Sequence, residues 1–280
     1  VATIGGASYG ESTVEAIKAN IDHYITPHLI GQDPISFSRI INHISKSLRG
    51  NYLAKSLIET ALIDLASKQR EIPAYELFGG KIHESLPLDW TLANGDTVSD
   101  IEEAKEILHQ RRHNIFKLKI GSGDPDTSVK HVGEIIKAVG HESRITVDIN
   151  QAWDEYTALK QIKALEEMGI SMIEQPLPAW NYEGMSRLTE RFDVSILADE
   201  SATSLHDTYR IIKERAGDSI AARCFTSQGP LRIQTAKFLQ ALKLITGRMI
   251  ILRSIQTLTL MHRISTFAVV LKQMKMVNSQ

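Results

Sequence analysis

Hydrophobic and polar positions follow two regimes along this chain. From Ser12 to the break at Pro27, the apolar positions Val14, Ile17, Ile21 and Tyr24 recur at helical spacing. A second helix is predicted over about 34–48, with Ile40, Ile41, Ile44 and Leu48 on its inner side. A third, over about 53–69, is rich in Ala and apolar nearly all round, the mark of a buried helix. Pro73 and the Gly79-Gly80 pair end this helical block. Ahead of it, residues 4–10 read as a Gly-rich loop, either a plain connector or a segment flexible enough to fold over something.

From about residue 86 the pattern changes to short apolar runs alternating with helical spacing. Strands are predicted at 86–92, 116–120, 144–149, 171–175, 195–199 and 219–224. Helices fall between them at about 100–110, capped by Asp100, and at 126–139, 154–168, 182–191 and 204–215. Such alternation means parallel strands with right-handed crossovers. Past Cys224 the regularity fails: 231–245 has helical spacing, but 249–260 and 264–276 fit neither template. About 55 residues remain there, too few for three more βα units of roughly 30 residues each. The expected fold class is therefore α/β, a partial (β/α)8 TIM-like barrel with a truncated α+β capping domain. The expected division is a mostly helical capping region at 1–85, a partial barrel at 86–224 and a divergent tail at 225–280.

Candidate chemistry sits in the barrel half. In Phe116-Lys117-Leu118-Lys119-Ile120 the two lysines share one face of a strand and the apolar residues share the other. Helices must cover the apolar face, so the ammonium groups are expected to look inward. Asp148 lies near the C-terminal end of its predicted strand, Glu174 closes residues 171–174 and Asp199 closes residues 195–199, roughly 25 residues apart, about one strand plus one crossover helix. The three acids are thus expected at matched levels of successive strands, the end at which barrels place their chemistry. Carboxylates so close repel one another, and a hard divalent cation with oxygen ligands is the ready way to hold them ionised. Glu200 adjoins Asp199 and is the alternative third ligand. Taken singly, each acid has a plainer use as a helix cap or loop charge.

Composition narrows the function classes. With 42% hydrophobic and 23% charged residues, the 280-residue chain is ordinary globular material. A formal net charge of −1 gives no electrostatic reason to expect nucleic acid or an anionic membrane as partner. No run approaches the roughly 18–20 apolar residues of a membrane span. Cys224 is the lone cysteine and excludes an internal disulfide, so a cytoplasmic location is expected. The histidines show no metal-like spacing, and Trp153 and Trp180 read as loop packing.

Six motifs in order resemble a known family. Lys117-Leu118-Lys119, Asp148-Ile149-Asn150-Gln151-Ala152-Trp153, Glu174-Gln175-Pro176 and Ala198-Asp199-Glu200-Ser201 are similar to the enolase superfamily in its muconate-lactonising subgroup. The opening residues 3–12 and Trp90-Thr91-Leu92-Ala93-Asn94-Gly95-Asp96-Thr97 narrow the likeness to muconate and chloromuconate cycloisomerases. The resemblance implies one Mn2+ or Mg2+ held by Asp148, Glu174 and Asp199. It implies Lys119 as the acid/base at the carbon beside the substrate carboxylate, Lys117 as its electrostatic helper, and Ile4 and Tyr9 as substrate contacts. The implied reaction is reversible ring closure of the dicarboxylate cis,cis-muconate, or a chloro-derivative, to muconolactone in catechol breakdown, by a homo-oligomer.

The same signatures admit a dipeptide epimerase, an o-succinylbenzoate synthase, or a metal-binding remnant without turnover. The motifs end at about residue 222. Arg223 stands where the family has a lysine and, being always protonated, supplies charge but no base. The family's later strands, with their Gly-Gly-Thr-Met-Leu-Glu-Gly stretch, and the strands before the Gly-rich loop have no counterpart. A shifted reading frame past residue 222 and an impaired activity are the corresponding expectations.

Overall fold

A computed structural model describes residues 12–81, 84–221 and 251–252. The described residues fall into two compact units, which divide at about residue 84.

The first unit is helical. Thr13 caps α1 (Val14–Asn20), and the chain then passes through one π-helical turn, Ile21–Ile25. A 3-10 turn at Pro34–Ser36 leads into α2 (Phe37–Ser47), and α3 runs over Tyr52–Gln69. The core holds Ile25, Ile40, Ile44, Ile58, Leu62 and Ile63, all nearly solvent-free. The π turn alters the expected inner stripe. Thr26 N–H bonds back five residues to Ile21, so one extra residue enters the turn and rotates the side chains beyond it. Ile25 is buried as a result, and Tyr24, expected inside, faces water. Helix α3 buries positions on every side, Lys55 and Glu59 included, in keeping with its all-round apolar sequence.

The second unit alternates strand and helix. Its strands are β1 (Trp90–Leu92), β2 (Ile115–Lys119), β3 (Arg144–Asp148), β4 (Met172–Glu174), β5 (Ser195–Ala198), β6 (Ser219–Ile220) and β7 (Ile251–Leu252). Each is parallel to the next, so the strand order in the sheet equals the order in sequence. Between them run α4 (Thr97–His109), α5 (Pro125–Val139), α6 (Glu155–Glu167), α7 (Tyr182–Arg191) and α8 (Leu205–Glu214). A sheet that steps always to its next neighbour curls one way, as in a barrel wall. β7 lies where the sequence fits neither template, and it pairs with β6 through Ser219↔Ile251 and Ile220↔Leu252.

The helices start where short polar side chains satisfy their first N–H groups. Asp124 accepts from Thr127 N at 2.8 Å, Asp154 from Thr157 N at 2.7 Å, and Asn181 from Gly184 N at 2.9 Å. Caps of this kind stabilise by about 1 kcal/mol each. The α4 cap is Asp96, not the expected Asp100: it accepts from Val98 N and Ser99 N. Asp100 is buried in the first turn, where it accepts from the Asn94 main chain and side-chain amide. Behind the sheet, Val132 and Ile135 of α5 and Ala158, Ile162 and Leu165 of α6 pack with Phe116, Leu118 and Val147, all at 0% exposure. That layer fixes which strand face is apolar, and so which face is left for chemistry. Among the described residues, no helix is long and apolar enough to cross a membrane.

Candidate active site

The face opposite this layer carries the charges. Strand register places Lys119 beside Asp148, and Asp148 beside Glu174, so an ammonium and two carboxylates share one rung across β2, β3 and β4. Lys117 lies two residues earlier on the same face, level with the buried Thr146. Asp148 and Glu174 are 1% exposed and Asp199 is 4% exposed, so their charges are met by protein groups rather than by bulk water. Lys117 Nζ donates to Glu174 Oε2 at 2.5 Å and stands 3.9 Å from Asp89 Oδ2. Lys119 Nζ donates to Asp148 Oδ2 at 3.1 Å and to Asn150 Oδ1 at 2.7 Å.

Asn150 extends the network: its main-chain N–H donates to Asp148 Oδ1 at 3.0 Å, and its amide to Glu200 Oε1 at 3.0 Å. Burial pushes the Glu200 carboxyl above the usual carboxylate range. The charges of Asp148 and Glu174 push it the same way, against the bond from Asn150.

Local backbone explains how the carboxylates end up at the strand ends. Asn150 and Gln151, just past Asp148, have φ of 46° and 70°, and Gln175, just past Glu174, has φ of 36°. Side-chain-bearing residues rarely enter this left-handed region, and where they do so together the surrounding bonds hold them. The chain thereby leaves each strand immediately after its acid. Gly121, two residues beyond Lys119, has φ of +120°, and a Cβ there would lie 2.5 Å from Ile149 O.

Lys117, Lys119, Asp148 and Glu174 thus come together. Asp199 sits differently from the expected matched level: Leu197 is the residue level with Glu174, and Asp199 lies two residues past it, beyond the end of β5. Ile4, Tyr9 and Arg223 lie outside the described residues. Asp89, Asn150 and Gln175 also belong to the network. Gln175 directly follows Glu174 and Asn150 lies two residues past Asp148, inside the segments Glu174-Gln175-Pro176 and Asp148-Ile149-Asn150, and that nearness was the available signal. Trp153 is buried and Trp180 exposed.

As a metal set, Asp148, Glu174 and Asp199 offer only carboxylate oxygens, the donors a hard divalent cation prefers. Among the described residues no three such groups are already drawn together around one point. Instead the two ammonium groups lie against the Glu174 and Asp148 oxygens. The donor chemistry fits a divalent cation.

Comparison with known proteins agrees with the sheet and its residues. Residues 1–79 match the family described as mandelate racemase / muconate lactonizing enzyme, N-terminal domain, and residues 99–237 match the enolase C-terminal domain-like family. Muconate cycloisomerase 1 of Acinetobacter baylyi is 45% identical over 228 residues, which are 81% of this chain and 62% of the relative. Muconate cycloisomerase 1 of Pseudomonas putida is 38% identical over 266 residues, 94% of this chain and 71% of the relative. Similarity therefore continues past residue 222, where the recognisable motifs end.

The crystal structure of a muconate cycloisomerase from Pseudomonas fluorescens superposes with a TM-score of 0.82 at 43% identity. It covers 85% of this chain and 66% of that one. The chain spans about three-fifths of the length of the first of these relatives. With both domain families matched along its length and the fold shared, the chain belongs to the enolase superfamily, in its muconate cycloisomerase subgroup.

Proposed function

We propose that this chain catalyses the cycloisomerisation named for its relatives, the interconversion of cis,cis-muconate or a chloro-derivative with the corresponding muconolactone. The observation that carries the proposal is the rung Lys119, Asp148, Glu174, with Lys117 beside it on the same face. One solved relative, from Pseudomonas fluorescens, holds muconolactone.

The chemistry is dictated by charge. Removing or adding a proton at the carbon beside a carboxylate passes through a species with two negative charges on one group, so a site needs positive charge at the oxygens and a proton carrier at the carbon. Family membership implies a divalent metal. Asp148, Glu174 and Asp199 would hold it, as Mn2+ or Mg2+, and when bound it supplies the positive charge. Lys119, the more exposed of the two lysines, is assigned the proton transfer. Lys117, held by Glu174 and facing Asp89, lies on the same strand face and is assigned the electrostatic stabilisation of the enolate. The substrate is a small dicarboxylate, and the single Cys224 suits a cytoplasmic enzyme.

The test is loss of muconate absorbance with Mn2+ present, for the unaltered chain and for Lys119→Ala. Turnover that disappears in the variant supports the assignment. Turnover that survives it removes Lys119 from the mechanism. Mn2+ binding without turnover makes the chain a metal-binding remnant.

A further inference from the structure

Gln175 is fully buried, and all four hydrogen-bonding positions of its side chain are used. Its Nε2 donates to Leu177 O at 2.9 Å and to Ser201 Oγ at 2.8 Å. Its Oε1 accepts from Asp199 N at 2.9 Å and from Ser201 N at 3.1 Å. The pattern of the adjoining ladder gives this meaning. In a parallel pair, a residue whose N–H donates to one strand neighbour normally accepts, at its main-chain carbonyl, from the N–H two residues further along that neighbour. Gln175 N donates to Leu197 O at 2.9 Å, so its carbonyl should take Asp199 N.

That carbonyl is instead turned to the other side, where it accepts from Gln151 N at 2.8 Å, as the left-handed φ of Gln175 allows. The side-chain oxygen takes over the missing rung. The β4–β5 register itself stops at Glu174↔Leu197, so this amide is what continues the tie from Glu174 to the turn that carries Asp199.

We propose that Gln175 is a positioning residue for the metal centre, setting the separation of Glu174 and Asp199 by replacing a main-chain rung with its own amide. The inference rests on the assignment of those two acids as metal ligands. Positioning groups behind metal ligands change metal affinity or activity by about 10- to 100-fold when removed. A residue that served only stability would lower the melting temperature and leave the affinity of the folded protein alone.

The experiment is a Mn2+ titration of the full chain followed by electron paramagnetic resonance, which reads both free ion and the line shape of bound ion. Gln175→Met keeps the side-chain length and removes all four bonds. It is expected to weaken Mn2+ binding at least tenfold and to change the bound line shape. Ser201→Ala removes one of the four bonds and is expected to shift both in the same direction by less, and it is the variant read if Gln175→Met does not fold. Ile162→Val, in the fully buried layer of α6, is the control that lowers stability with affinity unchanged. Unchanged affinity and line shape in the folded Gln175 variant overturn the inference. Absence of Mn2+ binding by the unaltered chain, or binding indifferent to Asp148→Asn, overturns the metal assignment and the inference with it.

Discussion

Replacing Gly121 by Ala tests whether the loop after Lys119 is held by backbone packing. Gly121 and Gly123 both lie between β2 and α5 with positive φ, +120° and +84°, but their surroundings differ. A Cβ at Gly123 meets nothing within 4 Å. Its cost is therefore conformational alone, about 1–2 kcal/mol for an L-residue in the left-handed region. At Gly121 the new atom would lie 2.5 Å from Ile149 O and 3.0 Å from the Ala152 Cβ. The nearest of these is main chain and cannot swing aside. Strain of about 1–3 kcal/mol is then joined by about 1–3 kcal/mol of overpacking. A combined loss of about 4 kcal/mol is expected for Gly121→Ala.

With a urea dependence of about 2 kcal/mol per molar, the unfolding midpoint measured by circular dichroism should fall by about 2 M for Gly121→Ala and by less than about 1 M for Gly123→Ala. The conflict is with the strand end just beyond Asp148, so the Gly121 variant should also lose Mn2+ affinity. Equal midpoints for the two variants would refute the argument, because it makes the contacts with Ile149 and Ala152 the source of the larger loss at Gly121.

Three further outcomes are expected. Lys119→Ala should reduce muconate turnover by about 10²–10⁴-fold, the usual worth of a positioned acid/base, and leave the circular dichroism spectrum unchanged. Mn2+ at about a hundred times its dissociation constant should stabilise the chain against urea by about 2.7 kcal/mol. Asp148→Asn should abolish that gain, and a chelator should reverse it. Tyr182, whose hydroxyl donates to Ser201 O at 3.0 Å, has its phenol pushed up from 10.0 to about 12, first by burial and then by the Asp207 charge. The fold thus favours the neutral phenol. Its contribution, on the order of 2 kcal/mol, is complete below about pH 10 and is lost as pH rises through about 12. Urea midpoints of Tyr182→Phe should accordingly fall less steeply than those of the unaltered chain over that range.

Much of the second unit was legible because each of its elements obeys one period. Phe116 and Leu118 against Lys117 and Lys119 is a strand pattern that burial enforces, since both apolar residues are solvent-free. The ends were less legible. The apolar run from Leu86 is strand only over Trp90–Leu92. Asp96 and Asp100 are both reasonable caps by residue type, and the bond from Asn94 N to the buried Asp100, a contact no local rule contains, separates them. Tyr24 and Ile25 exchanged places because a π turn breaks the 3.6-residue count, and nothing in the local sequence marks the extra residue.

In the site, strand-end acids and inward lysines could be read from alternation. Asp199 could not be placed, because its level depends on the register of β4 against β5. The roles of Gln175 and Asn150 depend on left-handed backbone that neither residue type demands.

The pairing of Lys117 with Glu174 and of Lys119 with Asp148 bears on the order of events in making this protein. Small zinc domains stay unfolded until their ion arrives, because nothing else offsets the ligands' demands. Here the chain brings its own counterions, covalently attached one strand away from Asp148 and two from Glu174, so these acids can be enclosed in water that holds no divalent ion at all. On the metal assignment proposed above, Asp148 and Glu174 would hold the cation, which would supply the positive charge that the two lysines supply here.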